Sequence, residues 1–166
     1  MSNRDDDDFD AEEFFNNFEE PTEEEMEEVR KEKERIRNLP VMLKARQLFE
    51  LTKALTELVD EKHSFALVKQ MMLEDSMMIA PKIAGAEGGD LYSIRMENAV
   101  LIQHHAKQLM VQTFTLEHEK MVDKSYIHLL RDELENFRKL FILWVDTFDK
   151  TNDVYDGWIR FSSVEE

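Results

Sequence analysis

The sequence predicts an all-α fold: an antiparallel, up-down-up-down four-helix bundle with a disordered acidic N-terminal arm and one extra charged N-terminal helix. Three observations predict it. Apolar residues recur at spacings of three and four from Pro40 to Phe148, and no stretch alternates with period two. The breaks between these periodic segments are short, which makes consecutive helices antiparallel neighbours. The negative charge is also concentrated at one end: residues 1–28 hold fourteen acidic residues and one basic one, Arg4, a net −13 of the chain's −16.

Residues 1–21 read as the arm, acid-rich and without Ile, Leu or Val over 1–20. Four phenylalanines, Phe9, Phe14, Phe15 and Phe18, sit among the acids. Phe14, Phe15 and Phe18 would share one face of a short helix. Aromatic rings interleaved with acids suit a segment that folds onto a basic, apolar groove of a partner. The alternative is that the rings dock back on the chain's own helices, or that the acids serve solubility.

Residues 22–38 read as a charged helix. Thr22 and Glu25 form a Thr-x-x-Glu capping box, and acids precede bases in keeping with the helix dipole. Glu27 and Lys31 form a favourable i, i+4 pair. Met26, Val29 and Ile36 supply only a thin apolar stripe, so a lightly attached or exposed helix is expected.

The bundle is expected over 39–150. Its first helix places Ala45, Leu48, Phe49, Leu55, Leu58 and Val59 on one side. The second uses Phe65, Val68, Met72, Ile79 and Ile83, with Ser64 as cap. The third uses Leu91, Ile94, Leu101, Ile102, Leu109 and Leu116, and the fourth Ile127, Leu130, Leu134, Phe137, Phe141, Trp144 and Phe148. Asp123 or Ser125 caps the fourth. Residues 151–166 read as an extension packing on the bundle, through Tyr155, Trp158 and Phe161.

The stretch "APKIAGAEGGD" holds three of the four glycines. Pro81 cannot donate to the Met77 carbonyl, so a kink is expected there. Gly85, Gly88 and Gly89 offer positive φ to end the helix, and Asp90 is expected to cap the next. A phosphate cradle is disfavoured: neither G-x-G-x-x-G nor a P-loop is present, and Glu87 and Asp90 would repel the anion.

"QMMLEDSMMIAPKIAGAEGG", Gln70 to Gly89, resembles the second helix of the small four-helix-bundle proteins encoded within intervening sequences of bacterial 23S ribosomal RNA genes. Ile79, Pro81, Ile83, Ala84, Glu87 and Gly88 correspond to that family's Ile-Pro-x-x-Ile-Ala-Glu-Gly pattern with shifted spacing. The resemblance covers residues 40–150 approximately. It implies a bacterial, homo-oligomeric bundle without established enzymatic activity, offers no catalytic residues, and points to RNA only through the genes' location.

Several function classes are excluded or left without support. The chain has no cysteine, which removes disulfides, thiolate metal sites and cysteine nucleophiles. No Glu-x-x-His occurs for a bundle metal site; Asp60-x-x-His63 is the nearest approach, and adjacent His104 and His105 point about 100° apart. "DKTNDVYDGWIRF" fails as an EF-hand loop. The acid balance opposes a phosphate backbone. The longest strongly apolar run, Leu140 to Val145, is far short of the ~20 residues of a spanning helix. The N-terminus has acid where a signal peptide has a basic start. A soluble, cytoplasmic protein is the expectation.

Asn98, His105 and Gln112 recur every seven residues beside the apolar side of the third helix. Such a polar row sets register or oligomer state, or lines a ligand or metal cavity that Glu97, Arg95 and Asp75 join; Arg95 is the expected partner of a core-facing Asp75. The expected function is a non-enzymatic protein-interaction or assembly module with no cofactor and no metal. It would self-associate through an apolar face and dock its arm on a protein partner. A ligand- or metal-binding bundle is the rival, and an RNA-associated bundle is the third reading.

Overall fold

A computed structural model describes residues 21–59 and 66–154. Among them the chain is all-helical, with five helices and no strand: α1 (Glu23–Arg37), α2 (Pro40–Glu57), α3 (Ala66–Glu87), α4 (Tyr92–His118) and α5 (Lys124–Val145). The arm with its four phenylalanines, Ser64, His63, Phe65 and the Tyr155–Trp158–Phe161 series lie outside the described residues. The chain falls into two units, Met1–Glu34 and Arg35–Glu166.

The first unit holds most of α1. The capping box is formed as expected: Glu25 N donates to Thr22 Oγ1 at 3.2 Å, and Thr22 N donates to Glu25 Oε2 at 2.7 Å. These bonds hold the Glu25 carboxyl below its ordinary pKa, the backbone N–H of Thr22 most of all. Met26 and Val29 are exposed, and α1 buries no residue. Up to Glu34 its stability therefore rests on local pairs such as Arg30–Glu27 at 2.7 Å and Lys31–Glu27 at 3.9 Å.

In the second unit α2 packs on α3 and α5, and α4 packs on α3 and α5. The core inside this ring is aliphatic along most of its length, with Leu48, Met72, Ile79, Ile102, Leu109 and Leu130 fully buried. At one end it becomes aromatic. Phe137, Phe141, Trp144 and Phe148 follow one another with centroids 6.1, 6.0 and 4.8 Å apart. Each such ring pair contributes about 0.5–1.5 kcal/mol beyond area burial.

Three residues expected in the core are instead exposed: Leu58, Ile94 and Leu101. In α4 the inward positions are taken by Tyr92, Ser93, Ala99, Gln112 and Thr113, several of them small or polar. The spacing rule marks an apolar face, but these side chains, which hydrophobicity ignores, fix its rotation.

α3 runs through Pro81 without a break, as expected, but the glycines depart from expectation, and Gly85 lies inside the helix. None of the three glycines there lies in the left-handed region; among the described residues Lys120 does, φ 52°, in the turn after α4. Gly88 closes α3 by donating to Ala84 O at 3.0 Å. Asp90 does not cap α4: Leu91 is the N-cap and makes no side-chain cap bond. Two of the free N–H groups are met from the C-terminal segment, Tyr92 N by Asn152 O at 2.7 Å and Ser93 N by Asp153 Oδ1 at 3.1 Å. Of the two expected caps of α5, Asp123 serves, accepting from Ser125 N at 2.8 Å.

Candidate functional site

The polar residues of α3 and α4 form two nodes at opposite stretches of their shared face. Asp75 stands midway along α3, one position before the buried Ser76. The seven-residue repeat on α4 brings two side chains to it. His105 Nδ1 lies 2.8 Å from Asp75 Oδ1, and Gln112 Nε2 donates to Asp75 Oδ2 at 2.7 Å. Against a carboxylate that only accepts, this ring nitrogen would be the donor. The Asp75 side chain is 15% exposed and that of His105 20% exposed. Gln112 is buried, and its Oε1 has no hydrogen-bond partner.

Two members of the predicted row thus converge and the third does not. Asn98 donates to Ile94 O of its own helix at 2.9 Å, with its amide against Gly85. Glu97 is exposed. Arg95 does not pair with Asp75, contrary to expectation, because it is captured by a nearer carboxylate at the helix end.

That carboxylate, Glu87, is the second node. Its side chain is 5% exposed. It accepts from Arg95 Nη2, from Arg35 Nη2 at 2.7 Å and from Trp144 Nε1 at 2.8 Å. The Arg95 guanidinium also stacks on Phe148, 4.1 Å from the ring centroid. A buried carboxylate requires such partners. Sequence reasoning missed this node. The available signal was Trp144, whose buried N–H needs an acceptor.

A third polar contact joins α4 to α5. Arg131 Nε donates to Thr113 Oγ1 at 2.9 Å, and Arg131 Nη2 lies 2.8 Å from Glu117 Oε2. The guanidinium covers the Phe114 ring at 4.3 Å. The close contact with Arg131 is the main reason the Glu117 carboxyl sits below its ordinary pKa. Lys44 and Glu133, 2.9 Å apart, link α2 to α5.

No protein-family model, curated protein or solved structure matches the chain.

What these nodes display is charge pairing and hydrogen bonding between helices. The Asp75–His105 pair orients an imidazole as catalytic dyads do, yet no nucleophile hydrogen-bonds to it among the described residues. No group of three or more His, Asp or Glu stands together as a metal site among the described residues. Likewise, no helix there is long and apolar enough to cross a membrane. His104 is edge-on to His105, centroids 5.6 Å apart, and His118 points to solvent beside Glu119.

Proposed function

We propose that the protein is a non-enzymatic interaction or assembly module of the cytoplasm. In this reading α2–α5 form an antiparallel up-down-up-down four-helix bundle that self-associates through an apolar face. The acidic arm carries Phe9, Phe14, Phe15 and Phe18 to a basic, apolar groove on a partner protein. The observation that carries it is apolar exposure on the outer side of α4. Val100, Val111 and Phe114 are 49%, 57% and 56% exposed. Large apolar side chains exposed along one helix in this way are a feature of interaction surfaces. The closed ring of contacts among α2–α5 supports the bundle, and the resemblance of Gln70–Gly89 to the intervening-sequence proteins points the same way.

Native mass spectrometry tests self-association. A whole multiple of the 19.8 kDa chain is expected, reverting to a single chain in Val111→Glu. A monomer at every concentration would end the assembly reading. Removal of residues 1–20 tests the arm. Helicity should persist and captured partners should be lost. The deletion must stop before Arg35, since that residue bonds Glu87.

A ligand-binding reading draws on the unpartnered Gln112 Oε1 beside Asp75 and His105. His105→Ala would then remove bound mass with little loss of helicity.

A further inference from the structure

A groove of about 310 Å³ runs between α4 and α5. Its floor is Ala106, Met110, Phe137 and Phe141. Ala106 puts only a methyl group in its lining, and Phe137 and Phe141 stack in it with centroids 6.1 Å apart and planes at 28°. A larger side chain at 106 would close it. Lys107 and Arg138 stand at its mouth with Glu135.

The charges at the mouth are not equivalent. Arg138 bonds Glu135 twice, Nε at 2.7 Å and Nη2 at 2.6 Å. Those bonds hold the Glu135 carboxyl below its ordinary pKa and raise that of Arg138. The rim's one carboxylate is therefore neutralised in place. Lys107, by contrast, has neither an ion pair nor a hydrogen bond among the described residues. The groove offers an apolar, partly aromatic floor with one uncommitted cation at its edge. The α2–α3 groove, about 630 Å³, holds Lys53 and Lys69, but among the described residues its carboxylate, Glu74, meets no cation, only the neutral amide of Gln70 at 2.7 Å.

We infer that the α4–α5 groove binds a small apolar carboxylate, such as a medium-chain acyl or aryl acid. The tail lies over Met110, Phe137 and Phe141, and the carboxylate meets Lys107. The volume stands at the low end of the ~300–1,000 Å³ range of small-molecule sites, which excludes bulky ligands. The cation selects an acid over an alcohol or amine of the same length. This site uses none of the residues on which the assembly reading depends.

The test is calorimetric titration of the full chain with decanoate, decanol and decylamine. Saturable binding of one decanoate per chain is expected, with decanol weaker and decylamine weakest. Lys107→Glu should weaken decanoate about tenfold, the scale of one charge-assisted contact, and leave decanol unchanged. Ala106→Phe should abolish both. Circular dichroism checks that each variant folds. Should Ala106→Phe fail that check, the Met110 methyl resonance of the unaltered protein decides, because decanoate must shift it. No saturable uptake, binding that survives a folded Ala106→Phe, an unmoved Met110 methyl, or equal loss of decanol in Lys107→Glu overturns the site.

Discussion

The indole N–H of Trp144, near the end of α5, points at the carboxylate of Glu87, the last residue of α3, across 2.8 Å. These residues lie 57 apart in sequence. With Arg35 and Arg95 on the same carboxylate, one buried charge ties the ends of α1, α3 and α5 to the start of α4. Opposed charges out of water add little net stability, but an unmatched one is costly. The node therefore works as a specificity device: other registers of these helices leave a charge stranded.

Glu87→Gln should consequently cost far more than the bond to Trp144. The amide still accepts from the indole but no longer supplies the charge that Arg95 and Arg35 meet. Arg35, whose side chain is 48% exposed, rehydrates at little cost. Arg95, 16% exposed, cannot do so readily. A loss of about 3 kcal/mol is expected, at the low end of values for a broken buried pair. Trp144→Phe should cost about 1.5 kcal/mol, the low end for a lost bond to a charged acceptor. Urea denaturation measures both. Equal, small losses would show that the node is not a charge lock.

At the other node, Asp75 and His105 should be coupled. A double-mutant cycle of Asp75→Ala and His105→Ala should give an interaction energy of about 1 kcal/mol, reduced from a buried value by partial exposure. Coupling near zero would mean that the imidazole faces solvent in the folded protein. Gln112→Leu is expected to be mild, because it removes an unpartnered Oε1 together with a bond.

Much of the fold was legible in the sequence because its helices obey a 3.6-residue period. The five helices, the capping box at Thr22 and the cap at Asp123 required only local rules. The polar nodes needed more. The seven-residue spacing of His105 and Gln112 marked a shared face, but nothing local chose between Glu87 and Asp75 as the partner of Arg95. That choice depends on which carboxylate the helix crossing brings near, and Glu87 lies only eight residues away. Asp90 looked like a cap because it precedes α4. Asn152 and Asp153 serve instead, and tertiary proximity of this kind leaves no sequence signature.

The glycines offer a sharp check on backbone geometry. With φ outside the left-handed region and nothing within 4 Å of an added Cβ, Gly89→Ala should be neutral or stabilising by up to ~1 kcal/mol through the unfolded state. A turn needing positive φ would instead lose more than about 1 kcal/mol. Gly85→Ala brings a methyl to 3.3 Å from Asn98 Oδ1. That amide is a flexible end and can swing aside, so the helix-propensity gain of up to ~1 kcal/mol is largely kept. Thermal denaturation of both variants reads the sign.

Asp153→Ala should destabilise by about 1 kcal/mol, the usual cost of losing a cap. Here the cap is supplied from sixty residues away. The loss should therefore appear as faster amide exchange at Ser93 as well as a lower midpoint. Unchanged exchange at Ser93 would place its hydrogen bond elsewhere.

Acid should loosen the α4–α5 contact through Glu117. The Arg131 guanidinium holds that carboxyl below its ordinary value of 4.5. A carboxyl depressed in the folded state contributes its full stability above the unfolded value and loses it as pH falls through the folded one. The contribution is thus present at pH 7 and fades below about 4.5. Glu117→Gln removes the titrating group. Its urea midpoint should fall less between pH 7 and pH 3 than that of the unaltered protein. A residual decline will remain, since Glu25, Asp123, Glu135 and Asp149 are depressed in the same direction. Identical acid profiles for the two proteins would show that the Arg131–Glu117 contact is screened by solvent and carries no pH-dependent stability.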